Sequence, residues 1–260
     1  MSKTNINEKV VESLIGATIE KKKSRVPARL DFLQSATGLT LAIFILFHLV
    51  FESSILFGKD SMYALTKMFE GEFIIEGGSP IFISTLAIAI FAIFIFHAFL
   101  AMRKFPSSYR EYLRYRTHAK LMKHSDTNLW FIQITSGFML FFLGSIHLYI
   151  MITQPQNIGP FASSDRIYSD LMWPMYLMLL VSVVLHAGVG IYRLIMKWGW
   201  FDGENPRENR IKTRKIIKMV VLFYLLIGLF SLVSYMKIGY EHKANYGERY
   251  THTANNMENK

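Results

Sequence analysis

Four histidines fall inside long apolar stretches of this chain, His48, His97, His147 and His186, one in each stretch. An imidazole left without a partner in hydrocarbon is costly, so a histidine at that depth marks ligation, proton transfer or ligand contact. Such chemistry needs elements that hold each ring at a fixed height. The other four histidines, His118, His124, His242 and His252, stand in polar segments, where a solvated role is expected.

The positioning elements follow from the apolar runs at roughly 34–57, 80–102, 129–152, 171–196 and 216–236. Each approaches the ~20 residues a helix needs to cross about 30 Å of hydrocarbon. The chain therefore reads as an all-α membrane protein with five transmembrane helices. Basic residues orient it, because short loops rich in Lys and Arg stay cytoplasmic. Lys21, Lys22, Lys23, Arg25 and Arg29 precede the first run, Arg103, Lys104, Arg110, Arg114 and Arg116 lie in the second connection, and Lys197, Arg207, Arg210, Lys212, Arg214 and Lys215 lie in the fourth. The first connection has only Lys59 and Lys67, and the third only Arg166. The expected organisation is a cytoplasmic N-terminal arm over 1–33, a transmembrane domain over 34–236 and a polar C-terminal tail over 237–260 on the outer side.

Depth then sorts the histidines. At about 1.5 Å per residue, His48 and His147 lie roughly 21 and 27 Å from the inner ends of their runs, whereas His97 and His186 lie roughly 8 and 15 Å deep. His48 pairs with His147 in the outer half and His97 with His186 in the inner half, the pairs offset by about 12 Å along the membrane normal. Two imidazoles at one height on facing helices are axial ligands in waiting, so four of the five helices are expected to form a bundle holding two haems. An internal echo accompanies the outer pair. Gln34-Ser35-Ala36-Thr37-Gly38 precedes His48, Gln133-Ile134-Thr135-Ser136-Gly137 precedes His147, and each histidine follows its glycine by ten residues. The matched spacing points to equivalent roles about an approximate two-fold axis, with the glycines admitting a flat macrocycle or a second backbone.

Composition narrows the class. The 260 residues are 52% hydrophobic and 15% aromatic, and the formal charge of +10 reports cytoplasmic loops rather than nucleic-acid binding. With no cysteine, the chain itself supplies no thiolate-ligated iron–sulfur cluster, covalent haem or disulfide. Any such centre must belong to a partner. No dinucleotide or phosphate-loop fingerprint is present, and the polar, basic residues before Leu30 lack the apolar core of a cleavable signal. Asp31 is expected as a helix N-cap and Pro80 in the first turn of the second span. The first connection is acidic through Glu70, Glu72 and Glu76; the third, with Pro155, Gly159 and Pro160, is expected as an irregular loop. Trp198-Gly199-Trp200-Phe201 reads as an interfacial aromatic belt on the inner side.

Five segments carry a family likeness. Lys-Ser-Arg-Val-Pro-Ala-Arg-Leu-Asp (23–31), Gln-Ser-Ala-Thr-Gly (34–38), His-Ala-Phe-Leu-Ala-Met-Arg-Lys-Phe-Pro (97–106), Phe-Leu-Gly-Ser-Ile-His-Leu-Tyr (142–149) and Lys-Trp-Gly-Trp-Phe-Asp-Gly (197–203) occur in order and include two of the four histidines, His97 and His147. The chain resembles the dihaem cytochrome b subunit of menaquinone-linked fumarate reductases and succinate dehydrogenases, from about Lys22 to the end of the fifth run. The resemblance implies two haem b groups, menaquinol or menaquinone as substrate, and partnership with an iron–sulfur subunit and a flavoprotein subunit that interconverts succinate and fumarate. It further implies a dimer of heterotrimers in the bacterial cytoplasmic (inner) membrane. The chain would be an electron-transfer subunit rather than an enzyme by itself.

Residue roles carry over by position. His97 and His186 would hold the haem proximal to the soluble subunits and His48 and His147 the distal one, in agreement with the depths. Gln34, Ser35, Trp130 and Lys197 would surround the proximal haem, Arg103 and Arg193 would add positive potential, and Glu70 would accept the quinol proton. One departure stands out. Members of this group carry a glutamate two residues before the fourth ligand, a transmembrane proton conductor, whereas this chain has Val184. The alternatives are a cytochrome b subunit of a hydrogenase or formate dehydrogenase, a haem-free anchor, or a transporter, whose sites would gather at the midplane instead of in two layers.

Overall fold

The computed structural model describes residues 25–106, 108–122 and 125–251. Among them the secondary structure is helical, with no strand: α1 (Val26–Glu52), α2 (Lys59–Phe69), α3 (Ile81–Met102), α4 (Tyr109–Met122), α5 (Ser125–Thr153), α6 (Pro160–Tyr168), α7 (Trp173–Trp198) and α8 (Pro206–His242), with short 3-10 turns after α1, α5 and α8. Five are long and apolar enough to cross a membrane: α1, α3, α5, α7 and α8. Their outward side chains remain exposed, with Phe47 60%, Phe99 66% and Phe142 61% accessible. A surface of that kind needs hydrocarbon around it.

The packing closes a ring. α1 touches α3 and α7, and α5 touches α3 and α7, so the four histidine-bearing helices enclose a central space while α8 lies outside against α7. Helices on one diagonal, α1 with α5 or α3 with α7, run in the same direction. The expected pairs are therefore diagonal pairs. α2 and α6 cover the end of the bundle that the basic loops lead one to expect outside, called the outer end, and there Ile55, Met62, Ile167 and Tyr235 form a buried cluster.

Three local expectations are corrected. α1 begins at Val26, because Pro27 sits in its first turn and its fixed φ favours helix initiation there. Asp31 is thus inside the helix, not its N-cap. Pro80 is the residue before α3 rather than within its first turn. The third connection is not irregular throughout: Pro160 starts α6 immediately after Gly159, whose φ of 144° favours glycine. The arm over 1–24, His124 and the tail over 252–260 lie outside the described residues, as does the side chain of His118.

Candidate functional site

A cavity of about 920 Å³ runs through the ring and is bordered by His48, His97, His147 and His186. Ligand pockets commonly span about 300–1,000 Å³, so this one admits a large group. Its walls are chiefly Leu, Ile, Phe and Ala, with polar side chains gathered at the two ends.

At the outer level the His48 and His147 rings stand with centroids 6.1 Å apart and planes at 49°. Their common height has a simple origin. Each lies about 22 residues, roughly 33 Å, beyond the start of its own helix. Phe44, one turn before His48, stacks on it at 5.3 Å, and Tyr176 meets His147 edge-on at 5.8 Å. The Nδ1 atom of His147 is buried without a hydrogen-bond partner.

The inner level explains the repeated segments. Thr37 Oγ1 lies 3.0 Å from His97 Nδ1 and donates its own proton to the Leu33 carbonyl at 2.8 Å. The hydroxyl must therefore accept from an Nδ1–H, which leaves Nε2 of His97 with its lone pair. At the other end of the same diagonal, His186 Nδ1 donates to the Gln133 carbonyl at 3.1 Å and lies 3.2 Å from Ser136 Oγ, which itself donates to Ile132 at 2.6 Å. Nε2 of His186 likewise keeps its lone pair, to which the Gln133 side-chain amide donates at 3.4 Å. The glycines complete the cradle: a Cβ on Gly38 would come within 2.9 Å of His97 Cε1, and one on Gly137 within 3.0 Å of His186 Cε1. The echo thus serves the inner pair, not the outer one beside which it was read. α1 and α5 each carry an outer ligand and, about 15 Å below it, a seat for an inner one.

The inner mouth is polar. Gln34, Ser35, Trp130 and Lys197 all border the cavity there, with Lys104 and Arg193. Lys197 donates to Ser35 Oγ at 2.8 Å and pairs with Asp31, whose carboxylate also binds Lys104. Trp130 stacks on Tyr115 at 5.6 Å. Lys104, Arg193 and Lys197 give this mouth a positive charge that suits an anionic group, while Gln34 Oε1 is a buried acceptor without a donor.

Glu70 is placed apart from the cavity wall. It is 6% exposed at the end of α2, where Lys67 donates to its Oε2 at 2.7 Å and the Ser79 amide donates to its backbone carbonyl at 2.6 Å. The hydrogen bond to Glu70 holds the Lys67 ammonium above its usual range. Thr66 and Phe69, one turn and one residue before Glu70, do line the cavity. Val184 is 4% exposed within α7.

Two features escaped the sequence reading. His242 is not solvated: it is 7% exposed, donates from Nδ1 to Asp165 Oδ1 at 2.9 Å and stacks on Phe161 at 4.0 Å. Its partner lies 77 positions away, which no local pattern reveals. Glu52 also borders the cavity, and its position one turn after His48 was the signal available for it.

The residues fit a bis-histidine haem at each level. Two metal–imidazole bonds of about 2 Å plus the ring radii span about 6 Å, close to the outer spacing. The inner histidines keep the lone pair on Nε2, which at His186 accepts from the Gln133 side-chain amide at 3.4 Å, and Lys104, Arg193 and Lys197 border the cavity at the mouth where acidic substituents of such a group would emerge.

Known proteins resemble the chain over most of its length. The family model for the succinate dehydrogenase/fumarate reductase transmembrane subunit matches residues 110–227. The fumarate reductase cytochrome b subunit of Wolinella succinogenes is 55% identical over 235 residues, covering 90% of this chain and 92% of that protein. The protein of the same description from Helicobacter pylori is 45% identical over 238 residues, 92% of each chain.

Proposed function

The chain belongs to the cytochrome b membrane subunits of fumarate reductases, and from that membership we propose that it binds two haem b groups and passes electrons between menaquinol and an iron–sulfur and flavoprotein pair that interconverts fumarate and succinate. The observation that carries the reading is the set of two diagonal histidine pairs at two heights on one cavity. Haem supplies one-electron carriers at the two levels. His48 and His147 hold the outer one; His97 and His186 hold the inner one, with Gln34, Ser35, Trp130 and Lys197 around its acidic groups. Thr37, Gln133 and Ser136 fix the tautomer of the inner ligands and keep their rings from rotating. Lys197 and Lys104 hold positive charge at the inner mouth, facing the soluble subunits on the cytoplasmic side of a bacterial inner membrane. Glu70 accepts a proton from quinol bound at the outer connection, with Lys67 fixing the carboxylate.

Removing a partner of a ligating histidine weakens metal affinity by about 10–100-fold. Ser136→Ala should therefore release the inner haem at lower chemical stress than the wild type while the outer haem is retained. Spectra of the two haems during a denaturant or imidazole titration make the check, and equal loss from both levels would contradict the assignment of the cradle.

The reading also predicts a voltage. Protons leave quinol outside while electrons cross inward, and Val184 places an apolar side chain where the family resemblance implies a glutamate. Moving one charge against the membrane field involves about 2.3 kcal/mol per 100 mV. The assembled complex in proteoliposomes with menaquinol and fumarate should generate a potential readable with a voltage-sensitive dye. Electroneutral turnover insensitive to an ionophore would show a compensating proton route.

A further inference from the structure

Among the described residues, one carboxylate borders the cavity that holds both histidine pairs, and it is Glu52 rather than Glu70. We propose that Glu52 takes up a proton when an electron arrives between His48 and His147 and gives it up when that electron moves inward; the proposal rests on the reading of that pair as a haem site.

Glu52 is the last residue of α1 and stands four positions after His48, so the two share a helix face about 6 Å apart along the axis. Its Oε2 accepts a hydrogen bond from Tyr235 at 3.2 Å. That tyrosine, on α8, is 3% exposed and also contacts Met62 of α2. Tyr235 from α8 and Tyr176 from α7 interact with Glu52, and Arg166 from α6, His147 from α5 and His48 from its own helix border the same cavity. Arg166 is 7% exposed and interacts with the Tyr176 hydroxyl, whose ring meets His147. This is a polar cluster linking the outer histidine pair to the outer surface. In a weakly polarisable interior, an added electron disfavours a carboxylate one turn away, and a proton restores the balance with no further charge movement. Inward from the cluster the wall is apolar, so the proton's exit is the outer end, where α1 gives way to Ser53–Phe57.

The balance closes. Quinol oxidised to quinone gives up two electrons and two protons. The quinol protons leave outward by way of Glu70, and each electron enters singly; while it resides between His48 and His147, one proton taken from water at the outer end forms an O–H bond on the Glu52 carboxylate. When the electron passes to the His97 and His186 level, that bond breaks and the proton leaves outward. After two such passages both protons are outside and both electrons are on the inner side.

Redox titration of the two haems in the purified, assembled complex between about pH 6 and 8 provides the test. In the wild type, the reduction constant of one haem should fall by up to about tenfold per pH unit, one proton per electron. Glu52→Gln should flatten that dependence to less than about twofold per unit without altering the other haem's, and Glu52→Asp should retain it. A dependence that survives Glu52→Gln, or its absence from the wild type, overturns the proposal. Fewer than two titrating haems in the wild type would instead overturn the reading of the pairs, and the count separates that failure from the first. Should Glu52→Gln not retain haem, reduced-minus-oxidised infrared spectra carry the test. A protonated-carboxyl band that appears on reduction and shifts in Glu52→Asp supports the proposal, and the lack of such a band refutes it.

Discussion

Replacing His97 with leucine should abolish quinol-linked fumarate reduction while leaving one haem per chain. Leucine fills much of the ring's volume, which limits the cavity penalty, but it offers no lone pair to the group between α3 and α7. The inner level then has one ligand, and the path from the outer haem to the soluble subunits is interrupted. Stability should fall as well, because a group bound at about 1,000 times its dissociation constant contributes about 4 kcal/mol to the folded state. The expected record is a single haem in the reduced spectrum, a lowered Tm and turnover at background. His48→Leu should remove the other haem instead. Retention of both haems in His97→Leu would show that the diagonal α3–α7 pairing is wrong.

The second large effect is expected at Glu70. Glu70→Gln preserves size and can still accept a hydrogen bond from Lys67, but it removes the proton acceptor from the outer connection. General-base removal costs about 10²–10⁴-fold, so menaquinol oxidation should fall by that factor while both haems and fumarate reduction by a soluble reductant persist. The separation matters because Glu52 stands on the cavity and Glu70 beside it. Glu70→Gln changes quinol turnover and leaves the haem potentials alone; Glu52→Gln changes the pH dependence of one potential. Unchanged menaquinol oxidation in Glu70→Gln would move the quinol site to another part of the outer end.

Much of this arrangement was written locally in the chain. Five long apolar runs and four histidines inside them are properties of single segments, and the constant rise of a helix converts sequence position into depth. That is why the pairing of His48 with His147 could be anticipated and is matched by rings 6.1 Å apart. Helix ends were less legible, since hydropathy falls at the first charges while backbone hydrogen bonding continues through them. α1 therefore starts at Val26, and Asp31, read as a cap, is spent on Lys104 and Lys197 from the far side of the sequence. The Gln-x-x-hydroxyl-Gly repeats were visible but attached to the wrong level. A motif's own helix shows its spacing, whereas its partner is the histidine that packs across from it, and that requires the ring of helices. The same holds for His242 with Asp165 and for Glu52 with Tyr235, whose partners are 77 and 183 positions away.

The most direct test of the account is the haem count by level. A pyridine haemochrome assay on the purified wild-type complex should give two b-type haems per chain, falling to one in either His48→Leu or His186→Leu and to none when both substitutions are combined. One haem or none in the wild type, or two in either single variant, would contradict the central claim that two diagonal histidine pairs each hold one haem.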